Sequence, residues 1–202
     1  MLSKGIIVSI QGLGKTTTQE IADEVTNAGA VALRLDKKVN TSLPKIGLLK
    51  AKNKKHECEA YITYTLDDVK TVAGWADFVA IDYRRISPYL QEISDYCRNN
   101  KIKVVADIAD IYDLYNIIEK KLYYTYIATT LSVFGNRSPN FYFLKEVLKN
   151  EKNVIAEGNF KTIEHVKRAS KAGTPNICIG YAITGFFKKT QEFKNCFDRG
   201  LK

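Results

Sequence analysis

Ile46-Gly47-Leu48-Leu49-Lys50 and Val154-Ile155-Ala156-Glu157-Gly158 are two short apolar runs, each ending on a charged side chain. A strand covered on both faces excludes charge along its length, because an unpaired buried ion costs several kcal/mol. A Lys or a Glu at the exit of such a strand therefore points at something. In a (β/α)8 barrel the C-terminal strand ends form one rim, and active sites are built there. Outward from these two runs, similar ones recur at 5–10, 31–35, 78–82, 104–107, 126–129 and 177–180, which with 46–49 and 154–157 makes eight strands. Mostly unbroken apolar runs are the pattern of parallel strands covered on both sides.

Amphipathic stretches separate the strands. Helices are expected over 18–27, 89–99 after Ser87-Pro88, 110–120, 140–148, 162–172 and 186–197. Pro early in a helix costs little. Thr162 is a fitting N-cap and Gly173 a stop. Strand–helix alternation from end to end implies a parallel sheet, and eight units favour closure into a single-domain (β/α)8 TIM barrel over 1–202. One unit is abnormal. Only ten residues, 36–45, join the second and third strands, and they include Pro44. That leaves little room for a crossover helix, so the barrel is expected to be thin or irregular there.

Bulk composition agrees with one globular domain: 202 residues, 45% hydrophobic and 26% charged. No apolar run approaches the ~18 residues of a membrane span, and Met1-Leu2-Ser3-Lys4 leads straight into Ile6-Ile7-Val8 without signal-peptide anatomy. A cytoplasmic protein is expected. The four cysteines (Cys58, Cys97, Cys178, Cys196) form no CxxC pair, and His56 and His165 stand alone, so no metal site is expected. The net charge of +9 raises the question of nucleic acid. The lysines are spread along the chain, however, with one cluster at Lys50, Lys52, Lys54 and Lys55. A basic surface equally suits small anions such as sugar phosphates, and nucleic acid is not the expected partner.

Ser9-Ile10-Gln11-Gly12-Leu13-Gly14-Lys15-Thr16-Thr17 lies between a strand and a helix and imitates a P-loop, with Ser9 where the first Gly belongs. A nucleotide hydrolase built on Lys15 and Thr16 would also need a magnesium carboxylate on a later strand, for which Asp82 and Asp107 are candidates. The alternative is a Gly-rich strand–helix turn.

A series of segments in order carries a family resemblance: Ile7-Val8-Ser9-Ile10-Gln11, Val31-Ala32-Leu33-Arg34-Leu35, Ile46 to Lys50, Tyr61-Ile62-Thr63-Tyr64-Thr65-Leu66, Ala80-Ile81-Asp82, Val105-Ala106-Asp107-Ile108, Ala128-Thr129-Thr130-Leu131-Ser132, Val154 to Gly158, and Gly180-Tyr181-Ala182-Ile183-Thr184. Over nearly the whole chain this order resembles the bacterial N-acetylmannosamine-6-phosphate 2-epimerases. The resemblance implies a (β/α)8 barrel that inverts C2 of an N-acetylamino sugar 6-phosphate without a metal or organic cofactor. It further implies Lys50 as the acid/base and Glu157 as its partner across the site. Gln11, Arg34, Asp107 and Thr129 would contact substrate, and Gly158 and Gly180 would offer backbone N–H groups to the phosphate. The chemistry suits these residue types. Proton removal next to a carbonyl needs a base that is uncharged in part near neutral pH, and desolvation beside other cations lowers a lysine toward that range. Read alone, each residue has a plainer role: Lys50 as a surface lysine, Glu157-Gly158 as a turn, and Arg34 as a structural ion-pair partner of Glu157 or Asp107.

The chain departs from that family after the last strand. The family's Gly-Ser-Ala-Ile-Thr-Arg-Pro-like segment, whose Arg helps hold the 6-phosphate, corresponds here to Gly180-Tyr181-Ala182-Ile183-Thr184-Gly185-Phe186. Asn159 and Ala51 likewise stand where the family tends to be basic, and Lys188 or Lys189 is a candidate replacement for the missing charge. A second expectation therefore stays open, a diverged non-catalytic barrel that binds a sugar phosphate or a protein. Oligomeric state is also open in the sequence, with a homodimer among the options.

Overall fold

The computed structural model describes residues 1–50, 61–87, 89–132 and 138–185. Within them the elements run β1 (Gly5–Ile10), α1 (Lys15–Asn27), β2 (Ala32–Leu35), β3 (Lys45–Gly47), α2 (Leu66–Ala73), β4 (Phe78–Asp82), α3 (Leu90–Asn99), β5 (Val104–Ile108), α4 (Ile111–Glu119), β6 (Tyr126–Thr130), α5 (Phe141–Asn150), β7 (Val154–Glu157), α6 (Ile163–Lys171) and β8 (Asn176–Ile179). Each strand pairs in parallel with the next, and β8 closes on β1 in the register Gly5–Asn176 to Val8–Ile179. The result is a closed (β/α)8 barrel, as expected. The helix expected over 186–197, the lysines at 188 and 189, and Pro88 lie outside the described residues.

Side-chain alternation sorts every strand into an inner and an outer face. Ile7, Ala32, Ile46, Phe78, Ala80, Val105, Tyr126, Ala128, Ile155 and Cys178 belong to one buried cluster that contains no helix residue, so they fill the barrel interior. The alternate positions, such as Val79, Ile81, Ile127 and Val154, pack with helix residues Ile93, Leu114, Leu144 and Ala169. Local chemistry fixes the helix starts. The Asp110 carboxylate accepts from the N–H groups of Tyr112 and Asp113, while the Asp113 carboxylate accepts from the Asp110 N–H. Thr65 and Asp68 repeat this capping box at α2. Thr162 caps α6 as expected, and Gly173, at φ +92°, follows its end.

Three elements differ from expectation in ways that bear on the site or the packing. β3 ends at Gly47, so Lys50 follows the strand by three residues instead of sitting directly at its end. α1 begins at Lys15, three residues earlier than its apolar spacing suggests, because Gly14 serves as the extended N-cap. α2 was not among the expected helices; with a single short turn of apolar spacing it carries only Val69 and Val72 inward. The short connection between β2 and β3 holds no helix. The barrel nevertheless stays closed there, because Val39 and Leu43 from that connection pack with Leu33 and Leu35 on the outer side of β2.

Candidate active site

Continuing the inner-face alternation past the apolar layers leads to the C-terminal rim. The next inward positions are Ser9 on β1 and Gln11 just after it, Arg34 on β2, Asp82 on β4, Asp107 on β5, Thr130 on β6, Glu157 on β7 and Gly180 after β8. All of them line one cavity of about 400 Å³, the size of a small-ligand site. Lys50 has the same parity, following Ile46 and Leu48. It is exposed, pairs through its backbone with Ile62 of the cavity wall, and is not among the lining residues described. The stretch that follows it, 51–60, lies outside the described residues.

Arg34 organises the floor. It is only 5% exposed. One Nη donates to Asp107 at 2.5 Å and the other to Glu157. The structural reading of Arg34 as an ion-pair partner is therefore correct for both acids, and the same residue also lines the cavity. Burial works hardest against the guanidinium charge, but attraction and hydrogen bonding to Asp107, with a contribution from Cys178, together raise the Arg34 pKa. Burial raises the Asp107 carboxyl above its usual range, opposed by Arg34 and reinforced by Asp82. Two carboxylates share one guanidinium, so the cluster favours a proton on Asp107 beyond what an exposed acid would accept. Arg34 Nε and Asp107 Oδ1 are buried without a partner among the described residues. Beneath them, burial pushes the Cys178 thiol up to about 11, which marks a packing residue rather than a nucleophile.

The opposite wall is a different kind of pair. Asp82 is 3% exposed and its carboxylate accepts from Arg84 Nε at 2.9 Å and Nη2 at 2.7 Å. The Arg84 guanidinium also stacks on the Tyr61 ring, 4.5 Å from its centre. Sequence reading weighed Asp82 only as a magnesium carboxylate, although it ends its apolar strand just as Glu157 does. Tyr61, Arg84, Ser132 and Lys161 also line the cavity and were not singled out.

Other expected positions resolve as follows. Gln11 lines the cavity, with its Nε2 donating to Ser9 Oγ at 2.7 Å. Thr129 is fully buried, with its hydroxyl beneath the Glu157 N–H, and it is Thr130, one position on, that reaches the cavity. Gly158 sits at φ +108°, and a Cβ there would lie 2.5 Å from the Leu131 nitrogen, so only glycine fits. Gly180 also borders the cavity, and 181–185 form a helical turn whose first residues, Tyr181 and Ala182, line it. The Tyr181 ring lies against Gly185: a Cβ at that glycine would come within 2.9 Å of the ring.

The P-loop look-alike is not a phosphate cradle. The Gly12 N–H donates to the Asp36 carboxylate at 2.7 Å, which puts an acid where an anion would bind. Lys37 closes the same turn on the Leu13 carbonyl. Lys15 and Thr16 are exposed at the start of α1, away from the cavity lining. Among the described residues no helix is long and apolar enough to cross a membrane.

Comparison with known proteins agrees with this fold. The family described as "Putative N-acetylmannosamine-6-phosphate epimerase" (NanE) matches residues 14–199. A Staphylococcus saprophyticus protein named as a 2-epimerase of that family is 29% identical over 226 aligned positions, covering 98% of this chain and 100% of its own. A Mycoplasmopsis pulmonis protein of the same name is 30% identical, covering 85% of each chain. The solved N-acetylmannosamine-6-phosphate 2-epimerase from Clostridium perfringens superposes with a TM-score of 0.79 at 25% identity, over 96% of this chain and 94% of that one. Thiamine phosphate pyrophosphorylase from Pyrococcus furiosus, at 14% identity and a TM-score of 0.60, shares the fold alone.

Proposed function

Because the chain belongs to the N-acetylmannosamine-6-phosphate epimerase family, we propose that it inverts C2 of N-acetylmannosamine 6-phosphate, with Lys50 removing and returning the proton and Glu157 as its partner. The observation that carries this reading is that Arg34, Asp107 and Glu157 line one rim cavity, with Lys50 following Ile46 and Leu48 at the same alternation.

Each group has a physical task. Removing the C2 proton leaves negative charge on the neighbouring carbonyl oxygen, which needs a fixed donor in a water-poor site. Arg34 is such a donor, held in place by ion pairs to Asp107 and Glu157. The polar edges of Gln11, Asp107 and Thr130 face the same space and suit sugar hydroxyls. For the phosphate, the reading uses backbone N–H groups at Gly158–Asn159 and at the 181–185 turn, with Lys161 as a cation on the adjoining loop. The protein is read as acting in the cytoplasm on a small sugar phosphate, with no nucleic-acid partner.

The test is proton NMR of the protein with N-acetylmannosamine 6-phosphate in deuterated water. Deuterium at C2 with conversion to the gluco epimer is expected. Lys50→Ala should abolish that exchange and keep the fold, whereas Lys15→Ala should leave it unchanged. No exchange by folded protein, beside a working control enzyme, would favour a binding barrel instead. That second reading draws on one observation, the Tyr181 ring seated over Gly185 where the family carries an arginine.

A further inference from the structure

Tyr61, Ile62 and Thr63 form a short strap across the end of β3. The Leu49 N–H donates to Thr63 Oγ1 at 2.9 Å, and the Lys50 backbone pairs with Ile62 in an antiparallel bridge. The strap is in turn tied to β4. The Asp82 N–H donates to the Thr63 carbonyl at 3.0 Å, and the Tyr61 N–H donates to Asp82 Oδ2 at 3.2 Å. Ile62 and Thr63 are buried at 9% and 0% exposure, so the strap is part of the barrel mouth and not a loose loop.

Asp82 is the hub of this arrangement. Its Oδ1 accepts from Arg84 N–H and Nε, and its Oδ2 from Arg84 Nη2 and Tyr61 N–H. Both oxygens are thus saturated, which leaves this carboxylate poorly placed to move protons. Asp107, by contrast, keeps an oxygen without a partner among the described residues. What Asp82 does fix is direction. The bidentate fork of Arg84 holds the carboxylate plane, the carboxylate holds Tyr61, and the strap holds the backbone from which the Lys50 side chain departs.

We propose that Asp82 and Arg84 are positioning residues for the proton-transfer lysine, acting on Lys50 through the Tyr61–Thr63 strap. This rests on the reading of Lys50 given above. In this role the pair acts through the backbone of the strap and sets where the ammonium-bearing chain begins. A small displacement of a reacting group costs on the order of 10²-fold in rate, and that is the size of effect expected here.

The experiment measures kcat, KM and C2 deuterium exchange for Asp82→Asn, Arg84→Gln and Lys50→Ala, with circular dichroism and melting curves for each. The positioning role requires kcat to fall by about 10²-fold in Asp82→Asn and Arg84→Gln while KM stays within about threefold. The isotope effect on kcat with C2-deuterated substrate should rise in both, since proton removal becomes the slow step. Thr63→Val, which keeps the shape but removes the acceptor for Leu49, should reproduce the pattern if Asp82→Asn does not fold. Folded pair variants with parental kcat and isotope effect, beside an inactive Lys50→Ala, would overturn the positioning role alone. Exchange that persists in Lys50→Ala would overturn the reading beneath it as well.

Discussion

At the scale of single residues, the site sets attraction against burial. Asp107 lies 2.5 Å from the Arg34 guanidinium, yet burial outweighs that attraction and its carboxyl is raised above the usual 3.8. A carboxyl raised on folding stabilises the fold while it is protonated, below its unfolded value, and the contribution is lost as pH climbs through the folded value. Ionised Asp107 therefore costs stability near neutral pH. Asp107→Asn is expected to melt at or above the parent temperature at about pH 7, with the gap narrowing toward about pH 4, while turnover falls. Melting curves across that range check the sign. A variant that loses more stability at neutral pH than in acid would sink the account. The same scale shows a limit of sequence reading. Thr129 and Thr130 are adjacent and identical, so composition could not choose between faces, and a shift of one residue moves a side chain from the helix layer to the cavity. The exit of β4 was legible by the rule that singled out Glu157, but Asp82 pairs with a residue only two positions on, and spacing alone does not show such a hairpin of charge.

At the scale of elements, the strands were legible because eight apolar runs had no other plausible burial, and their bounds differ from the structure by at most two residues. α2 was not, since its inward face is two valines and its start rests on the Thr65–Asp68 capping box. Its closeness to β3 depends on a missing side chain. A Cβ on Gly47 would come 2.6 Å from both Ala76 and Val72 and 2.8 Å from Trp75. Gly47→Ala is therefore expected to cost about 1–3 kcal/mol through overpacking, measured by urea unfolding. Unchanged stability would mean that the wall moves aside freely.

At the scale of the whole molecule, closure is uneven. β4 and β5 share four registered pairs, from Val79–Val104 to Asp82–Asp107. β3 and β4 share two, Ile46–Phe78 and Gly47–Val79. The β2–β3 connection also covers its sector with Val39 and Leu43 instead of a helix. Native-state hydrogen exchange should find the amides of β3 less protected than those of β5. Equal protection would show that the barrel opens only as a unit. That sequence reading expected irregularity in this sector and the structure nonetheless closes it has one physical cause: two apolar side chains on a short connection replace the missing helix.

The contact between α2 and β3 also carries an optical consequence. The chain has one tryptophan, Trp75, and its ring lies over Gly47 beside one of the sparse seams of the barrel. Its emission is therefore a one-site gauge of that seam, free of interference from any other indole. Parting of α2 from β3 wets the ring and reddens its light, so fluorescence should change at lower denaturant than far-ultraviolet dichroism if the seam yields first.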